Sequence, residues 1–436
     1  MMKRFFVFVM ILPLTGLSQQ DPLSVEEVIR IGLQNNFNIQ IALNNKEMAD
    51  NSTKKGVGGF LPRVNATGSF QYATSDQETN SPFSFGKSTT ENTSGQLNMN
   101  WTLFDGFRMF ARNTQLQGNA RLVDAQSKDQ IELKVVAILR AYFNLAQQEQ
   151  LLQINRYSTQ ISKERLDKEE IRQEMGSASK TDFYNARVAY NNDRAVLLEQ
   201  QLNLQNAKKD LNVLLGRSPD VKINIKQDIT IPPLNLTKQE LQDLAQEHNR
   251  SLQAARLAKT VAEKNIMLAR ASFYPQLSLG ANYGYSDRTV NSDSEQFSDP
   301  ISTKSTDASV SLNLAFNLFD GFQNEVDLQN AKLEEKNKKL ALKDQYNQVS
   351  SSIQKIYETF KKQLEIVELE KENVVAAERN LQLQRDRLKM GTSTSLEFRD
   401  AQVNFNRAQI ALISAKYQAR ISHLELERLI GKLTID

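Results

Sequence analysis

The chain of 436 residues has no cysteine, one tryptophan and two histidines. Without cysteine there is no disulfide staple, no thiolate chemistry and no thiol on which to build a lipid anchor. His248 and His423 stand alone on helical stretches and are expected to be solvated. No metal-ligand spacing, glycine-rich phosphate loop or nucleophile-base pair accompanies them, so neither an enzyme nor a cofactor or metal is expected. An excess of one charge is missing too. The net charge is +3, Lys3 and Arg4 supply two units of it, and no basic cluster follows, so no nucleic-acid partner is expected. Long hydrophobic runs are also lacking. The run from Phe5 to Leu14 is shorter than the ~20 residues a spanning helix needs. With Lys3-Arg4 before it and Gly16 and Ser18 after it, it makes residues 1–18 read as a secretory signal peptide.

What the chain does contain is a duplication. "LFDGF" occurs at Leu103 to Phe107 and again at Leu318 to Phe322. "MGSASKTDF" from Met175 answers "MGTSTSLEF" from Met390, and "LLGR" ending at Arg217 answers "LIGK" ending at Lys432, all at an offset of 215. "GFLPRV" from Gly59 answers "SFYPQL" from Ser272, and Asn36 answers Asn249, at an offset of 213. Repeat one is therefore expected over residues 19–217, a linker over 218–235 and repeat two over 236–436.

Each repeat reads helix, strand, strand, long helix, helix. Pro62 and Pro275 end the helices before the strands, because proline has no amide to donate. Period-two alternation predicts strands at about 62–75, 93–104, 275–286 and 307–319. One face of each is apolar (Leu97, Met99, Trp101, Leu103) and the other uncharged polar (Gln96, Asn98, Asn100, Thr102). Polar segments rich in Ser, Thr, Asn and Asp join the paired strands and read as long loops. After each LFDGF the period turns helical for about 65 residues, roughly 100 Å. Phe398, Ala401, Phe405, Ala408, Leu412, Ala415 and Ala419 then step by three and four, a coiled-coil seam. Helices this long must pack against other long helices, since no globular core could bury them.

Strands of this kind in an exported protein fit a membrane β-barrel. A barrel in lipid must close, and four strands cannot, so several chains must share one barrel. Three copies give twelve strands, though closure alone does not choose three over two or four. The fold class expected is thus a mainly α mixed α/β membrane protein, with a long coiled-coil tunnel and four transmembrane strands per chain. A periplasmic coiled-coil scaffold or adaptor, with a soluble sheet and no pore, is the alternative.

The duplicated plan, the "LFD" junctions, the glycine-containing hairpin turns and "DFYNARVAY" and "EFRDAQVNF" after them resemble the TolC-like outer membrane channels of efflux and secretion systems. The resemblance spans nearly all of the chain after residue 18. It implies a homotrimer in outer membrane lipid, a twelve-stranded barrel and a periplasmic helical tunnel. A periplasmic adaptor and an inner-membrane pump are the partners it implies. The adaptor-docking tips would be Gly176, Ser177, Ala178 and Ser179, with Gly391, Thr392, Ser393 and Thr394. Asp182, Glu397 and Asp400 would be acidic residues of the tunnel entrance, where the family selects cations. Ser179 with Asp182 and Thr394 with Glu397 also fit helix-start capping, which does not account for Asp400. Leu388 and Ser393 stand where the family's best-known member closes its tip with a tyrosine and an arginine. Pro62, Phe104, Asp105 and Gly106, and Pro275, Phe319, Asp320 and Gly321, are expected at the barrel-tunnel junctions. There Leu103-Phe104 and Leu318-Phe319 would finish a strand and each aspartate would cap the following helix.

Overall fold

The computed structural model describes residues 22–78, 86–176, 179–293 and 299–433. The expected signal peptide, residues 1–18, and the tip residues Ser177 and Ala178 lie outside them. The elements run α1 (Val25–Asn35), α2 (Phe37–Asn51), β1 (Arg63–Asp76), β2 (Lys87–Asp105), α3 (Arg108–Glu174) and α4 (Lys180–Leu214). Then come α5 (Lys238–His248), α6 (Arg250–Ala271), β3 (Gln276–Ser292), β4 (Ile301–Ala315), α7 (Gln323–Lys389) and α8 (Ser395–Leu429). Each long helix, α3 or α7, has 67 residues, and α4 and α8 have 35 each. The fold is mainly helical with one small sheet.

Local chemistry sets the helix boundaries. Ser24 and Glu27 form a reciprocal capping box at the start of α1. Asn36 breaks the first helical stretch in two: its side chain accepts from the Asn38 and Ile39 amides at 3.0 and 3.2 Å and donates to the Leu214 carbonyl at 2.7 Å. Asn249 caps α6 in the same way through the Leu252 amide. Gly216 and Gly431, the glycines of LLGR and LIGK, take the left-handed conformation just past the ends of α4 and α8. Arg217 and Lys432 then donate to Asn212 and Glu427, closing Schellman-type ends.

Two units are distinct. The helical unit comprises the described residues of Met1–Gln40, Ile131–Leu241 and Ile353–Asp436. Its core joins α1, α3, α4 and α8 through Val28, Val135, Ile138, Leu139, Tyr142, Leu145, Leu211 and Leu424. The expected seam of α8 is buried at Phe398, Ala401, Phe405, Ala408, Ala415 and Ala419, with Leu412 packed beside it. The stretch between the repeats is part of this core: Ile223, Ile225 and Ile229 are buried in it. Ile225 also bridges Leu23 in parallel. His423 departs from expectation, being 4% exposed where a solvated position was expected. It falls one step of four beyond Ala419 on the seam, so its ring packs near Phe360, centroids 5.6 Å apart.

The second unit, Ile41–Gln130 with Gln242–Ser352, holds the sheet. Its four strands are antiparallel in the order β1-β2-β3-β4. The two hairpins have the same register under the repeat offsets: Arg63 faces Asn100 and Gln276 faces Ala315. The strands reach further into the polar segments than the alternation of apolar residues suggests, β2 starting at Lys87 and β3 running to Ser292. β4 is the exception at its other end. It stops at Ala315, so Leu318 and Phe319 do not finish a strand as Leu103 and Phe104 do. Ala315 pairs with Gln276, the residue after Pro275, and beyond that proline there is no ladder on β3 to extend. β2 gains one residue through a bulge between Thr102 and Phe104, which carries it to Asp105.

Candidate functional site

The sheet separates its chemistry by face. On one face the cross-strand rows are Trp101-Leu279-Leu312, Val64-Met99-Ala281-Val310 and Ala66-Leu97-Tyr283-Ala308. On the other, Asn65-Asn98-Asn282-Ser309 and Ser69-Ser94-Ser286-Ser305 form polar ladders. Asn282 donates to Asn98 at 2.7 Å, and the Ser69–Ser94 and Ser286–Ser305 hydroxyls lie 2.8 Å apart. A soluble sheet would bury its apolar face, but Val310, Leu312 and Leu314 are 76, 64 and 72% exposed. From Leu277 to the first charged residue of that face on β3, Asp287, is ten residues. That is about 34 Å along the strand and about 26 Å along an axis tilted ~40°, close to the ~25 Å apolar band of outer membrane barrels. Past that boundary Lys304 pairs with Asp287 at 3.6 Å, where water would meet it.

At both LFDGF turns two consecutive residues are left-handed: Gly106 and Phe107, and Gly321 and Phe322, all with φ of 68–69°. A phenylalanine in this region costs on the order of 1 kcal/mol. Edge-to-face packing on the preceding ring offsets part of it, Phe104 on Phe107 and Phe319 on Phe322, each with centroids 5.4 Å apart. Asp105 accepts from the Met109 amide at 3.1 Å and Asp320 from the Asn324 amide at 3.0 Å, satisfying orphan donors of α3 and α7. Pro62 and Pro275 each sit immediately before a strand. The two turns differ in what surrounds the glycine. A Cβ on Gly106 would lie 2.5 Å from the Ala271 carbonyl and the Tyr274 Cβ, whereas Gly321 has open space.

In the helical unit, Gly176 and Gly391 are left-handed residues that end α3 and α7. Thr392 donates to the Arg387 carbonyl at 2.9 Å and Gly391 to Leu388 at 3.2 Å, so this turn is closed by the backbone. Ser179 caps α4 through the Asp182 amide at 3.2 Å. Thr394 and Glu397 form a full capping box at α8: the carboxylate accepts from the Thr394 amide at 2.7 Å, and the Thr394 hydroxyl accepts from the Glu397 amide. Ser393 also donates to Glu397, at 2.9 Å. The Thr394 backbone bond, then the Ser393 and Thr394 hydroxyls, hold the Glu397 carboxyl below its ordinary value. Asp400, one turn on in α8, is exposed, and its side chain has no hydrogen bond or ion pair among the described residues. Asp182 is exposed as well. The acidic positions of the second turn thus come together on one helix face, while Ser177 and Ala178 of the first turn lie outside the described residues.

A cluster behind this turn was not legible in the sequence. Arg399 grips Asp193 of α4 with two bonds of 2.6 Å, and both side chains are largely buried. Ser158 of α3 donates to the same carboxylate and receives Asn406 of α8 at 2.6 Å. Fully buried Gln402 bonds Ser158 from the other side. Nothing in the periodicity marks these polar residues, which lie 206 and 244 positions apart in the contacts they make. Among the described residues no group of three or more His, Asp or Glu could hold a metal. No described helix is long and apolar enough to cross a membrane.

A sheet with an apolar band of membrane height, joined in sequence to 67-residue helices, defines an outer membrane export channel rather than a soluble scaffold. The chain belongs to the outer membrane efflux protein family, whose model matches residues 28–217 and 241–432. It is 23% identical over 379 residues to the outer membrane protein TolC of Salmonella enteritidis, covering 86% of this chain and 75% of that one. It is 25% identical over 426 residues to a probable efflux pump outer membrane protein, TtgC of Pseudomonas putida, covering 94% and 83%. The fold matches the CmeC outer membrane channel of Campylobacter jejuni with a TM-score of 0.80 at 15% identity, over 94% of this chain and 85% of that chain.

Proposed function

We propose that three copies of this chain close one twelve-stranded barrel in the outer membrane, continued in the periplasm by a tunnel of α3, α4, α7 and α8. In this reading residues 1–18 are removed on export, and the repeats over 19–217 and 236–436 each supply two strands, with residues 218–235 strapped across the helices. The tunnel is a passive conduit for an efflux or type I secretion system and performs no catalysis. Its partners are a periplasmic adaptor, docked at the turns around Gly176 to Ser179 and Gly391 to Thr394, and an inner-membrane pump.

The observation that carries this reading is the sheet itself. It is apolar and exposed on one face and polar on the other, and its outer edges on β1 and β4 have no ladder partner among the described residues. Unpaired edges are not tolerated in lipid, so the edges of neighbouring copies must meet. Pro62, Phe104, Asp105 and Gly106, with Pro275, Phe319, Asp320 and Gly321, then mark the two passages from barrel to tunnel. Exposed Glu397 and Asp400, at i and i+3, form acidic rings at the tunnel entrance, with Asp182 contributing from α4. Capping and lining are compatible roles for Glu397, because the capping carboxylate stays ionised and exposed.

The test is extraction from outer membranes in detergent, mass measurement and planar-bilayer recording. A three-chain particle with cation-preferring conductance is expected. The double variant Glu397→Ala, Asp400→Ala should lose most of that preference and its block by multivalent cations. A monomer without conductance would sink the channel assignment, and unchanged selectivity would return both carboxylates to structural roles.

A further inference from the structure

Arg399 stands between two of the carboxylates proposed to set the entrance charge, Glu397 and Asp400. Left free, one guanidinium per chain would cancel half of the charge of that pair. At 100° per residue it projects about 100° from Asp400 and about 160° from Glu397, away from the face they share. There it is taken up by Asp193 through two bonds of 2.6 Å, with the side chains 19% and 11% exposed. Ser158, also bonded to Asn406 and Gln402, braces the carboxylate from α3. A planar guanidinium held by a carboxylate through two parallel bonds is among the most directional arrangements a side chain can adopt.

We propose that Asp193 is a specificity-determining positioning residue: it sequesters and neutralises Arg399 behind α8, so that this guanidinium does not offset Glu397 and Asp400 at the entrance. Arg387, before the turn, is close enough to Glu397 to attract it and is unchanged in every variant below. This rests on the acidic entrance proposed above. Its chemistry is a charge balance. Removing the Asp193 carboxylate leaves one unmatched positive charge per chain, three per trimer, close behind the acidic rings. Arg165 makes the dependence sharper. Its Nε and Nη1 are buried without a partner, and it is close enough to Arg399 for the two guanidiniums to repel, with Glu169, Asp182 and Asp193 the carboxylates that favour its charged form. Removing the pair together restores the original net charge.

The experiment is the reversal potential of reconstituted trimers in a potassium chloride gradient, recorded near 0.1 M, where a charge is felt over about 10 Å before salt screens it. Asp193→Asn should lower the potassium-to-chloride permeability ratio by about two- to fivefold, the effect of unit charges roughly 10 Å from the permeating ion. Arg399→Gln, which removes one positive charge per chain and keeps Asp193, should raise it. The double variant Asp193→Asn, Arg399→Gln should return it to the wild-type ratio. Should Asp193→Asn fail to assemble, the opposed shifts of Arg399→Gln and the double variant decide the matter alone. A merely structural clamp predicts something different: all three variants altering conductance in the same direction with no recovery of selectivity in the double, and that outcome overturns the proposal. Glu397→Ala, Asp400→Ala separates the two levels. If it abolishes cation preference while the Asp193 series has no effect, this inference alone fails; if it has no effect either, the acidic entrance fails with it.

Discussion

Cysteine at Asn313 and Ser69 should lock three chains into a covalent ring. Inside one chain, Asn98 of β2 faces Asn282 of β3. Adding the 215-residue offset to Asn98 gives Asn313, and subtracting 213 from Asn282 gives Ser69. The same offsets carry the β1–β2 register onto β3–β4 without error, Val64 with Met99 becoming Leu277 with Leu314, as Arg63 with Asn100 becomes Gln276 with Ala315. If β4 of one copy meets β1 of the next as β2 meets β3, the two new cysteines face each other with Cα atoms about 4.5–5.5 Å apart. That lies within the ~4.4–6.8 Å a disulfide accepts. A slip of two residues adds about 7 Å along the strand and puts the Cα atoms beyond 8 Å. A slip of one turns a side chain to the opposite face. Within a single chain β1 and β4 are three strand spacings apart, about 14 Å, so no internal bond competes. The natural chain has no cysteine, so every bond must join introduced residues. On non-reducing denaturing gels we expect a reductant-sensitive product that stops at three chains. Asn313→Cys with Gly68→Cys or with Gln71→Cys should link poorly. Better linkage through Gln71 would refute the register, a ladder past three chains would refute closure at three, and no linkage at any position would refute the meeting of these edges.

The two junction glycines should fail differently. Gly106→Ala meets the left-handed backbone penalty of about 1–2 kcal/mol and a clash with Ala271 and Tyr274 inside the chain, so folded monomer itself should be lost. Gly321→Ala meets only the backbone penalty inside the chain, and by the same offsets its clash would fall on Gly58 and Leu61 of the next copy. Its defect should therefore appear in assembly, as monomer accumulating on unheated gels. Tyr142 gives a pH test: burial pushes its hydroxyl up to about 12, and that hydroxyl lies 3.2 Å from the Leu23 and Lys226 carbonyls. The neutral form is the one the fold favours, so its contribution is complete below the ordinary value of 10.0 and is lost as pH rises towards 12. Tyr142→Phe should melt lower than wild type at neutral pH, a loss of about 1 kcal/mol, with the gap closing across that window.

The parts of the fold that could be read from the chain are those where one period runs long enough to exclude the others. Val135, Ile138, Leu139, Tyr142 and Leu145 are buried as their helical spacing demands, and Pro62 and Pro275 stand directly before strands because neither can join a ladder. The end of β4 was not legible, because the alternation continues to Leu318 while pairing stops where the partner strand runs into its proline. His423 looked solvated because nothing in its immediate neighbours reveals that a seam of small residues brings Phe360 against it. The strap across the helical core escaped for a related reason: Ile223, Ile225 and Ile229 are too few to distinguish a docked strand from a spacer.

The sequence by itself determined the duplication, the helix-strand-strand-helix order and the two faces of every strand, since each depends only on local period and on residues that start or stop an element. Tertiary structure decided what the charges do. Whether Arg399 opposes Glu397 and Asp400 or is withdrawn from them depends on Asp193, which is 206 positions away and unmarked by any motif. Charge balance at a site is set by distance and burial, and those exist only once α4 and α8 have packed.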